Sequence, residues 1–311
     1  MRLRFFLPAF ALIAFSFSPG ETDKPKPFLP DLFAAFPNVR DLAISPGENE
    51  IFFTIESNKK EFSAIAFSKK KGDKWSKPEL VSFAGKFRDL EPALTADGLK
   101  MYFASARPLS DTGTIAKDVD IWYVTRTSLD APWSAPVNMG KPVNTDKDEF
   151  YPCITLSGNL YFTRQSEEAE RNEDIYISIS YQGKNILPLR LSDSINSLKY
   201  EFNAFVAPDE SFILFSSYGR PDDLGGSDLY ISLKNQKGQW LSAKHMRVNS
   251  EHIDYCPYVD AEKKTLYFTS ERSEFPASFK ETQKISVFTQ GGKPNGQSRL
   301  YNVPFSAESY R

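Results

Sequence analysis

A polar motif of the form N-[ST]-x3-[DE] occurs three times in this chain of 311 residues, and each copy ends in a carboxylate. The acidic positions are Glu149, Glu201 and Asp254, and Asp89 takes the same position in a further repeat without the asparagine. Four carboxylates at one channel mouth could hold a hard cation, which prefers oxygen ligands, or act as the paired acids of a glycosidase. The alternative is that each acid binds backbone N–H groups or an arginine of its own repeat. A catalytic site needs residues that differ in role, so the recurrence favours this structural alternative.

Arginine recurs in four repeats after an aromatic strand, at Arg107, Arg164, Arg220 and Arg272. In three of these repeats an aspartate begins the next strand, at Asp120, Asp174 and Asp228. Because arginine makes fixed bidentate bonds to carboxylates, the pattern predicts an ion pair within each repeat that holds the intervening loop. A polar ligand-binding face is the other interpretation.

The signatures of other catalytic and cofactor sites are missing from the sequence. It contains no G-x-S-x-G elbow, H-E-x-x-H pair, phosphate loop or dinucleotide fingerprint, and only two histidines. No cofactor and no metal is therefore expected. The 38 basic side chains are balanced by 40 acidic ones, which removes the main argument for a nucleic-acid partner. Cys153 and Cys256 fall in non-adjacent repeats and are predicted to be free thiols, because a disulfide needs Cα atoms within about 7 Å.

The elements that position these residues form an internal repeat. An aromatic strand recurs with its second aromatic residue at spacings of 50 to 59 residues, at Phe53, Phe103, Phe162, Phe215 and Phe268. Alternating apolar and polar residues in the flanking segments favour further strands. One small antiparallel sheet cannot bury both faces, but a radial stack of such sheets can. The sequence predicts an all-β protein: a β-propeller of five four-stranded blades, with six as the alternative, whose ring the N-terminal segment closes.

Residues 1–20 have the order of parts of a signal peptide. Arg2 and Arg4 form a basic start, an apolar stretch from Phe5 to Ser18 follows, and the chain then becomes polar. The apolar stretch is shorter than a membrane span needs. We therefore predict a soluble, periplasmic or otherwise exported protein, with a signal peptide at 1–20 and one propeller domain at 21–311. No membrane insertion is expected after signal cleavage.

The most specific stretch runs from Ser216 to Tyr230, and together with the repeat it resembles the exported bacterial propellers of the TolB type, a WD-repeat-like class. The resemblance covers essentially the whole chain after the signal peptide. It implies a periplasmic platform for protein binding, since similar blades occur in outer-membrane and envelope assemblies.

The sequence leaves two functions open. The leading hypothesis is a non-catalytic periplasmic scaffold, a monomer that binds another protein of the cell envelope. Its expected contact region is the long loop at 271–295, because binding residues gather on long loops. The predicted binding residues there are Glu271, Arg272, Phe275 and Phe279. The rival is a carbohydrate-active enzyme, a glycoside hydrolase or lyase, that uses Asp89, Glu149, Glu201 or Asp254 at the channel mouth.

Overall fold

The computed structural model describes residues 24–110, 113, 117–166, 172–274, 278, 280–289 and 293–311. The predicted signal peptide at 1–20 lies outside these residues, as do Phe275 and Phe279. The described part consists mainly of β-strands, with short helices at α1 (Pro30–Phe33) and α2 (Thr282–Thr289) and 3-10 turns at Pro46–Glu48 and Ala307–Tyr310. Within it, no helix has the length and apolar character that a membrane crossing requires.

The strands follow the sequence repeat, after a two-residue strand β1 (Lys26–Pro27). Repeat 1 contains β2 (Asn38–Ile44), β3 (Glu50–Glu56), β4 (Ser63–Lys71), β5 (Lys74–Trp75) and β6 (Glu79–Leu80). Repeat 2 contains β7 (Asp89–Leu94), β8 (Lys100–Ser105), β9 (Asp120–Thr125) and β10 (Val137–Asn138). Repeat 3 contains β11 (Glu149–Ile154), β12 (Leu160–Gln165), β13 (Glu173–Ser178), a small hairpin of β14 (Ser180–Tyr181) and β15 (Lys184–Asn185), and β16 (Leu189–Arg190). Repeat 4 contains β17 (Tyr200–Val206), β18 (Phe212–Tyr218), β19 (Asp228–Leu233) and β20 (Lys244–His245), and repeat 5 contains β21 (Asp254–Asp260), β22 (Thr265–Ser270) and β23 (Arg299–Pro304).

The aromatic strand is the second strand of each repeat and lies in the interior of its sheet. It pairs antiparallel with the first strand on one side and with the third strand on the other. Its central phenylalanine is fully buried in all five repeats. Burial of a phenylalanine side chain contributes about 1.5–3 kcal/mol, so the recurring residue that defines the sequence repeat is also a main source of its stability.

The sheet of repeat 5 takes its outermost strand from the other end of the described chain. Strand β1 pairs antiparallel with β23, with Lys26 opposite Asn302 and Pro27 opposite Tyr301. The order in this sheet is therefore β21-β22-β23-β1. Repeats 3 and 4 are joined at the sheet level by one parallel pair, Glu173 with Tyr200.

The apolar core lies between consecutive repeats. Separate buried clusters join repeats 1 and 2, 2 and 3, 3 and 4, and 4 and 5. A further cluster packs Val39 and Phe53 of repeat 1 against Tyr267 and Leu300 of repeat 5. Each sheet is thus covered on both faces by its neighbours, which is how a small antiparallel sheet avoids exposing an apolar face.

Candidate functional site

The four acids of the recurring motif are fully buried, and each is paired with an arginine of its own repeat. The pairs are Asp89 with Arg107 (2.6 Å), Glu149 with Arg164 (2.8 Å), Glu201 with Arg220 (3.0 Å) and Asp254 with Arg272 (3.2 Å). Among the described residues, these acids form no group of three or more side chains that could hold a metal ion.

The rest of the motif explains why it recurs. The side chain of Asn196 brackets the backbone of Ile175, since its Oδ1 accepts from the N–H at 2.8 Å and its Nδ2 donates to the carbonyl at 2.9 Å. The backbone N–H of Ser197 (2.7 Å) and its hydroxyl (2.6 Å) both donate to Glu201. Asn144 makes the same two hydrogen bonds to the backbone of Ile121, and Asn249 makes them to the backbone of Leu229. The motif thus fastens the loop between two repeats to the third strand of the preceding one.

The aspartates that begin the third strands have partners other than the expected arginines. Asp120 accepts from Asn138 Nδ2 at 2.7 Å, Asp174 from Arg190 Nε at 2.9 Å, and Asp228 lies 2.7 Å from His245 Nε2. The prediction of an ion pair between the recurring arginines and these aspartates is therefore wrong. Each aspartate instead holds the short fourth strand of its own sheet, because its partner belongs to that strand.

Two of the predicted binding residues are engaged with the body of the protein. Arg272 pairs with Asp254 and lies over the ring of Phe268, with 5.2 Å between its guanidinium carbon and the ring centroid. Glu271 accepts hydrogen bonds from Lys60 and from Ser298 Oγ. A binding role for the segment therefore depends on the residues between these two anchors and Asn295, and Phe275 and Phe279 lie outside the described residues.

A β-bulge interrupts the first strand of every repeat, and the residue at the bulge has a positive φ of 50–62°. The five residues are Asp41, Glu91, Tyr151, Asn203 and Cys256. This left-handed conformation costs a residue other than glycine about 1–2 kcal/mol, so surrounding contacts must hold it. In four repeats the bulge N–H donates to a hydroxyl on the second strand of the preceding repeat: Asp41 to Thr269, Glu91 to Thr54, Asn203 to Thr163 and Cys256 to Ser216.

The buried bulge residues and the partly exposed Arg40, whose side chain is 15% exposed, form a polar cluster that joins all five repeats. This central cluster comprises Arg40, Asp41, Glu91, Tyr151, Asn203 and Cys256. Arg40 is its hub: its Nε lies 2.9 Å from Asp41 Oδ1, and its Nη2 lies 2.8 Å from Glu91 Oε1 and 3.3 Å from Cys256 Sγ. Asn203 Nδ2 donates to the same sulfur at 3.0 Å, and Tyr151 OH donates to the carbonyl of Pro257 at 3.2 Å.

The electrostatics of the central cluster are set by burial. Burial raises the pKa of Glu91 to about 8, although Arg40 opposes the shift. Burial also raises the pKa of the Cys256 thiol well above its ordinary value. Burial thus favours the neutral form of Glu91, whereas Arg40 at 2.8 Å favours the ionised form. The Asp41 carboxylate faces the Cys256 thiol and contributes to the rise of its pKa, and its Oδ2 is buried.

An open cavity of about 370 Å³ extends outward from the central cluster. Its inner end is formed by Asp41, Glu91 and Tyr151, and its rim is formed by the turns that follow the first strands. Its walls are mainly apolar, with Leu42, Ile44, Pro92, Leu94, Pro152, Ile154, Phe205, Pro257 and Val259 among the lining residues. The recurring acids of the motif are absent from the lining, as far as the described residues show.

The sequence contains a signal for the central cluster that lies outside the recurring motif. Glu91, Tyr151, Asn203 and Cys256 each lie two residues after the motif acid of their repeat. Their residue type changes from repeat to repeat, whereas the residue before each is always apolar or aromatic and the residue after each is proline or alanine. That variation marks positions that differ in role, which is the property a functional site needs. No group of three or more metal-ligating side chains is in place among the described residues.

Comparison with known proteins supports the fold. No protein-family model matches this chain, and no curated protein sequence matches it. Solved structures do: a glycoside hydrolase has a TM-score of 0.54 at 9% identity, over 87% of this chain and 89% of that one. An alpha-L-arabinofuranosidase from Lactobacillus brevis has a TM-score of 0.50 at 12% identity, over 88% of this chain and 93% of that one. TolB from Acinetobacter baumannii has a TM-score of 0.47 at 14% identity, over 85% of this chain, which spans about half (54%) of the TolB structure. At these identities the likeness concerns the fold alone, and that fold is a β-propeller.

Proposed function

We propose that this protein is a non-catalytic scaffold, exported to the periplasm and monomeric, that binds another protein of the cell envelope. We further infer that its five repeats are the blades of one propeller, whose ring is closed where β1 completes the sheet of repeat 5. The hydrogen bond from the Asp41 N–H to Thr269 supports this closure, since it repeats between repeats 1 and 5 the link that joins other neighbours.

The observation that carries the proposal is the internal pairing of the recurring acids. Each of them is buried and bound to an arginine of its own repeat, so its charge is neutralised where no substrate reaches it. Pairing of this kind stabilises a blade rather than a transition state. Because the body is rigid and the loops between strands are free to vary, recognition of a partner by loops is the function that this architecture supports best.

Cross-linking in the native cell followed by affinity purification and mass spectrometry tests this proposal. The variant to compare replaces residues 275–292 by a short Gly/Ser linker. It keeps Glu271 and Arg272 with their contacts to the body and the hydrogen bond from the Glu274 N–H to the carbonyl of Pro294. We expect one stoichiometric envelope partner for the wild type and its loss in the variant. The matched control replaces the exposed turn of the β14–β15 hairpin, Gln182-Gly183, and should retain the partner. Recovery of no partner from the wild type would contradict the scaffold role.

A carbohydrate-active enzyme is the second candidate, and a specific observation favours it. Glu91, whose pKa is raised by burial, and Asp41 both lie at the inner end of the cavity, and glycosidases use two carboxyl groups, one of them an acid of raised pKa. One of the similar structures is an arabinofuranosidase. If this function holds, Glu91 and Asp41 carry it instead of the four acids of the motif. A panel of aryl glycosides tests it: turnover that Glu91→Gln abolishes supports the enzyme, and no turnover of any glycoside contradicts it.

A further inference from the structure

The hairpin of β4 and β5 in repeat 1 is strongly basic. Its segment 69–77 contains five lysines and a single acid, Asp73, in a chain whose net charge is −2. Lys69 pairs with Glu50 at 3.0 Å. The other four lysines are exposed: Lys70, Lys71, Lys74 and Lys77. Among the described residues, no carboxylate forms an ion pair with any of these four, so their charge is available to an anion outside the chain.

This hairpin extends beyond one end of its sheet. Lys69 lies opposite Glu50, the first residue of β3, and the N–H of Lys70 donates to the carbonyl of Asn49 in the turn before β3. The end at which the hairpin emerges, here called the turn end, is formed by the turns between the first and second strands, at 45–49, 95–99, 155–159, 207–211 and 261–264. The loop at 271–295 leaves β22 at the opposite end.

Repeat 5 brings further lysines to the turn end. The last residue of β23, Pro304, pairs with the first residue of β22, directly after the turn at 261–264. Strand β1 runs antiparallel to β23, with Lys26 opposite Asn302, so the chain that precedes Lys26 lies toward the turn end. Lys24 and Lys26 are exposed, as is Lys264 in the turn.

Two contacts bring the lysines of the two repeats to one corner of the molecule. Trp75 of the hairpin and Phe28, which follows β1, pack against the same buried cluster between repeats 1 and 5. Lys263 in the turn of repeat 5 pairs with Glu48 in the turn of repeat 1. The basic corner is formed by six exposed lysines: Lys24, Lys26, Lys70, Lys71, Lys74 and Lys264. The acids in the same segments of the chain are Asp73 and Glu262, so positive charge prevails.

We propose that the basic corner binds the surface of an anionic phospholipid membrane, with the turn end toward the lipid headgroups. A flat anionic surface contacts lysines of two repeats at once, which a single phosphate group cannot do. Because Trp75 is packed against the body of the protein, the contact is electrostatic, and clustered lysines beside a membrane bind anionic headgroups in this way. The association is peripheral and requires no membrane insertion.

The position of the N-terminus favours a membrane over another polyanion, an argument that rests on the proposed export. The predicted signal peptide ends at residue 20, and Lys24 follows after only three residues. The basic corner would therefore be the part of the folded domain closest to the membrane when the signal peptide is removed. The inference goes beyond the scaffold function, because it orients the protein: the 271–295 loop would point away from the membrane, toward a partner.

Sedimentation with lipid vesicles tests the proposal on the protein without its signal peptide. We expect binding to vesicles of phosphatidylglycerol and phosphatidylethanolamine at about 0.1 M NaCl and release at about 1 M, because the screening length falls from about 10 Å to about 3 Å. Vesicles of phosphatidylcholine alone should not bind. No binding to the anionic vesicles, or equal binding to both kinds, would overturn the proposal. Binding to polyglutamate or duplex DNA in place of the vesicles would identify a different polyanion and would equally contradict it.

Matched triple variants separate the basic corner from the net charge. Lys70→Gln/Lys71→Gln/Lys74→Gln should lower the partition onto anionic vesicles roughly hundredfold, since each lysine near such a surface contributes about fivefold. The control Lys59→Gln/Lys86→Gln/Lys199→Gln removes three exposed lysines at the opposite end, and should lower it by less than about threefold because salt screens distant charges. Circular dichroism verifies that both variants are folded. Equal losses in the two variants would show that only net charge matters and would refute the assignment to this corner.

A distance measurement tests which end faces the lipid. Asp73→Cys carries a fluorophore in the hairpin turn, and Glu61→Cys carries one in the exposed loop at 57–62 at the opposite end. Energy transfer to a headgroup-labelled lipid should be stronger from position 73 than from position 61, and equal transfer would contradict the orientation. Capture of a protein partner through residues 275–292 is measured separately, so either proposal can fail without the other.

Discussion

The carboxylate of Glu91 accepts a hydrogen bond from the backbone N–H of Tyr151 at 2.7 Å. In the other four repeats the N–H of the bulge residue donates to a hydroxyl on the second strand of the preceding repeat. For repeat 3 the corresponding residue of that strand is Ala104, which has no hydroxyl. A side chain of the central cluster therefore replaces a missing structural hydroxyl. This explains why a carboxyl group is buried at the inner end of the cavity, and it makes the local structure depend on Glu91.

The hydroxyl links can be tested by removing one and restoring another. Thr163→Ala leaves the N–H of Asn203 without its acceptor, and we expect a loss of about 1–3 kcal/mol in the free energy of unfolding. Ala104→Ser should restore the missing hydroxyl as an acceptor for the Tyr151 N–H. Glu91→Ala should then lower the free energy of unfolding by about 1–3 kcal/mol less in the Ala104→Ser background than in the wild type. Urea denaturation gives all four values. The control Thr125→Ala, at an exposed strand end, should change stability by less than about 0.5 kcal/mol. Additive effects of Ala104→Ser and Glu91→Ala would show that Glu91 does not replace the missing hydroxyl.

The pattern of repeats predicted the positions of the strands because aromatic and β-branched residues mark them directly. The partner of each arginine could not be predicted in the same way. Arg164 lies opposite Glu149 on one neighbouring strand and opposite Asp174 on the other, so pairing register permits both ion pairs. The choice is made by Arg190 on the fourth strand, which takes Asp174 and leaves Glu149 to Arg164. A two-residue strand has too weak a sequence pattern to show this contact in advance.

The central cluster escaped prediction for another physical reason. Its members come from different repeats, and a bulge with positive φ brings them together. Such a bulge depends on the hydroxyl that accepts its N–H, which is supplied by a strand about 40 residues away for Glu91 or Asn203 (37 and 40 residues). Residue types alone indicate neither the bulge nor the cavity beyond it.

The stability of the protein should fall as the pH rises through the range in which Glu91 ionises. In the unfolded chain Glu91 loses its proton near pH 4.5, but in the folded protein burial raises its pKa to about 8. The folded state therefore binds more protons between these values, and stability decreases with pH by at most about 1.4 kcal/mol per unit. Urea denaturation at pH 5, 6, 7 and 8 measures the slope for the wild type and for Glu91→Gln. The difference between the two slopes isolates Glu91, since other groups contribute to both; identical slopes would show that Glu91 is ionised throughout.

Removal of only one partner of a recurring ion pair should destabilise the protein. Arg220→Met leaves the fully buried Glu201 without its cation, and removal of one partner of a buried pair costs about 3–5 kcal/mol. We expect the lower end of this range, because the Arg220 side chain is 14% exposed. The double variant Glu201→Gln/Arg220→Met should recover part of the loss, since no unpaired charge remains. Thermal unfolding of both variants, with the exposed Lys184→Met as the control, tests this. A double variant no more stable than Arg220→Met alone would argue against charge burial as the cause.

The two cysteines should be free and slow to react in the folded protein. Burial raises the pKa of Cys153 to about 11 and that of Cys256 well above its ordinary value. At pH 8 roughly one Cys153 thiol in a thousand is ionised, and the thiolate is the reactive form. We expect a disulfide reagent such as DTNB to label neither cysteine within minutes at pH 8, and both at once in denaturant. Because Cys256 accepts hydrogen bonds from Arg40 and Asn203 within the central cluster, its labelling rate reports opening of that cluster. Rapid labelling of Cys256 in the native protein would mean that the cluster opens to solvent.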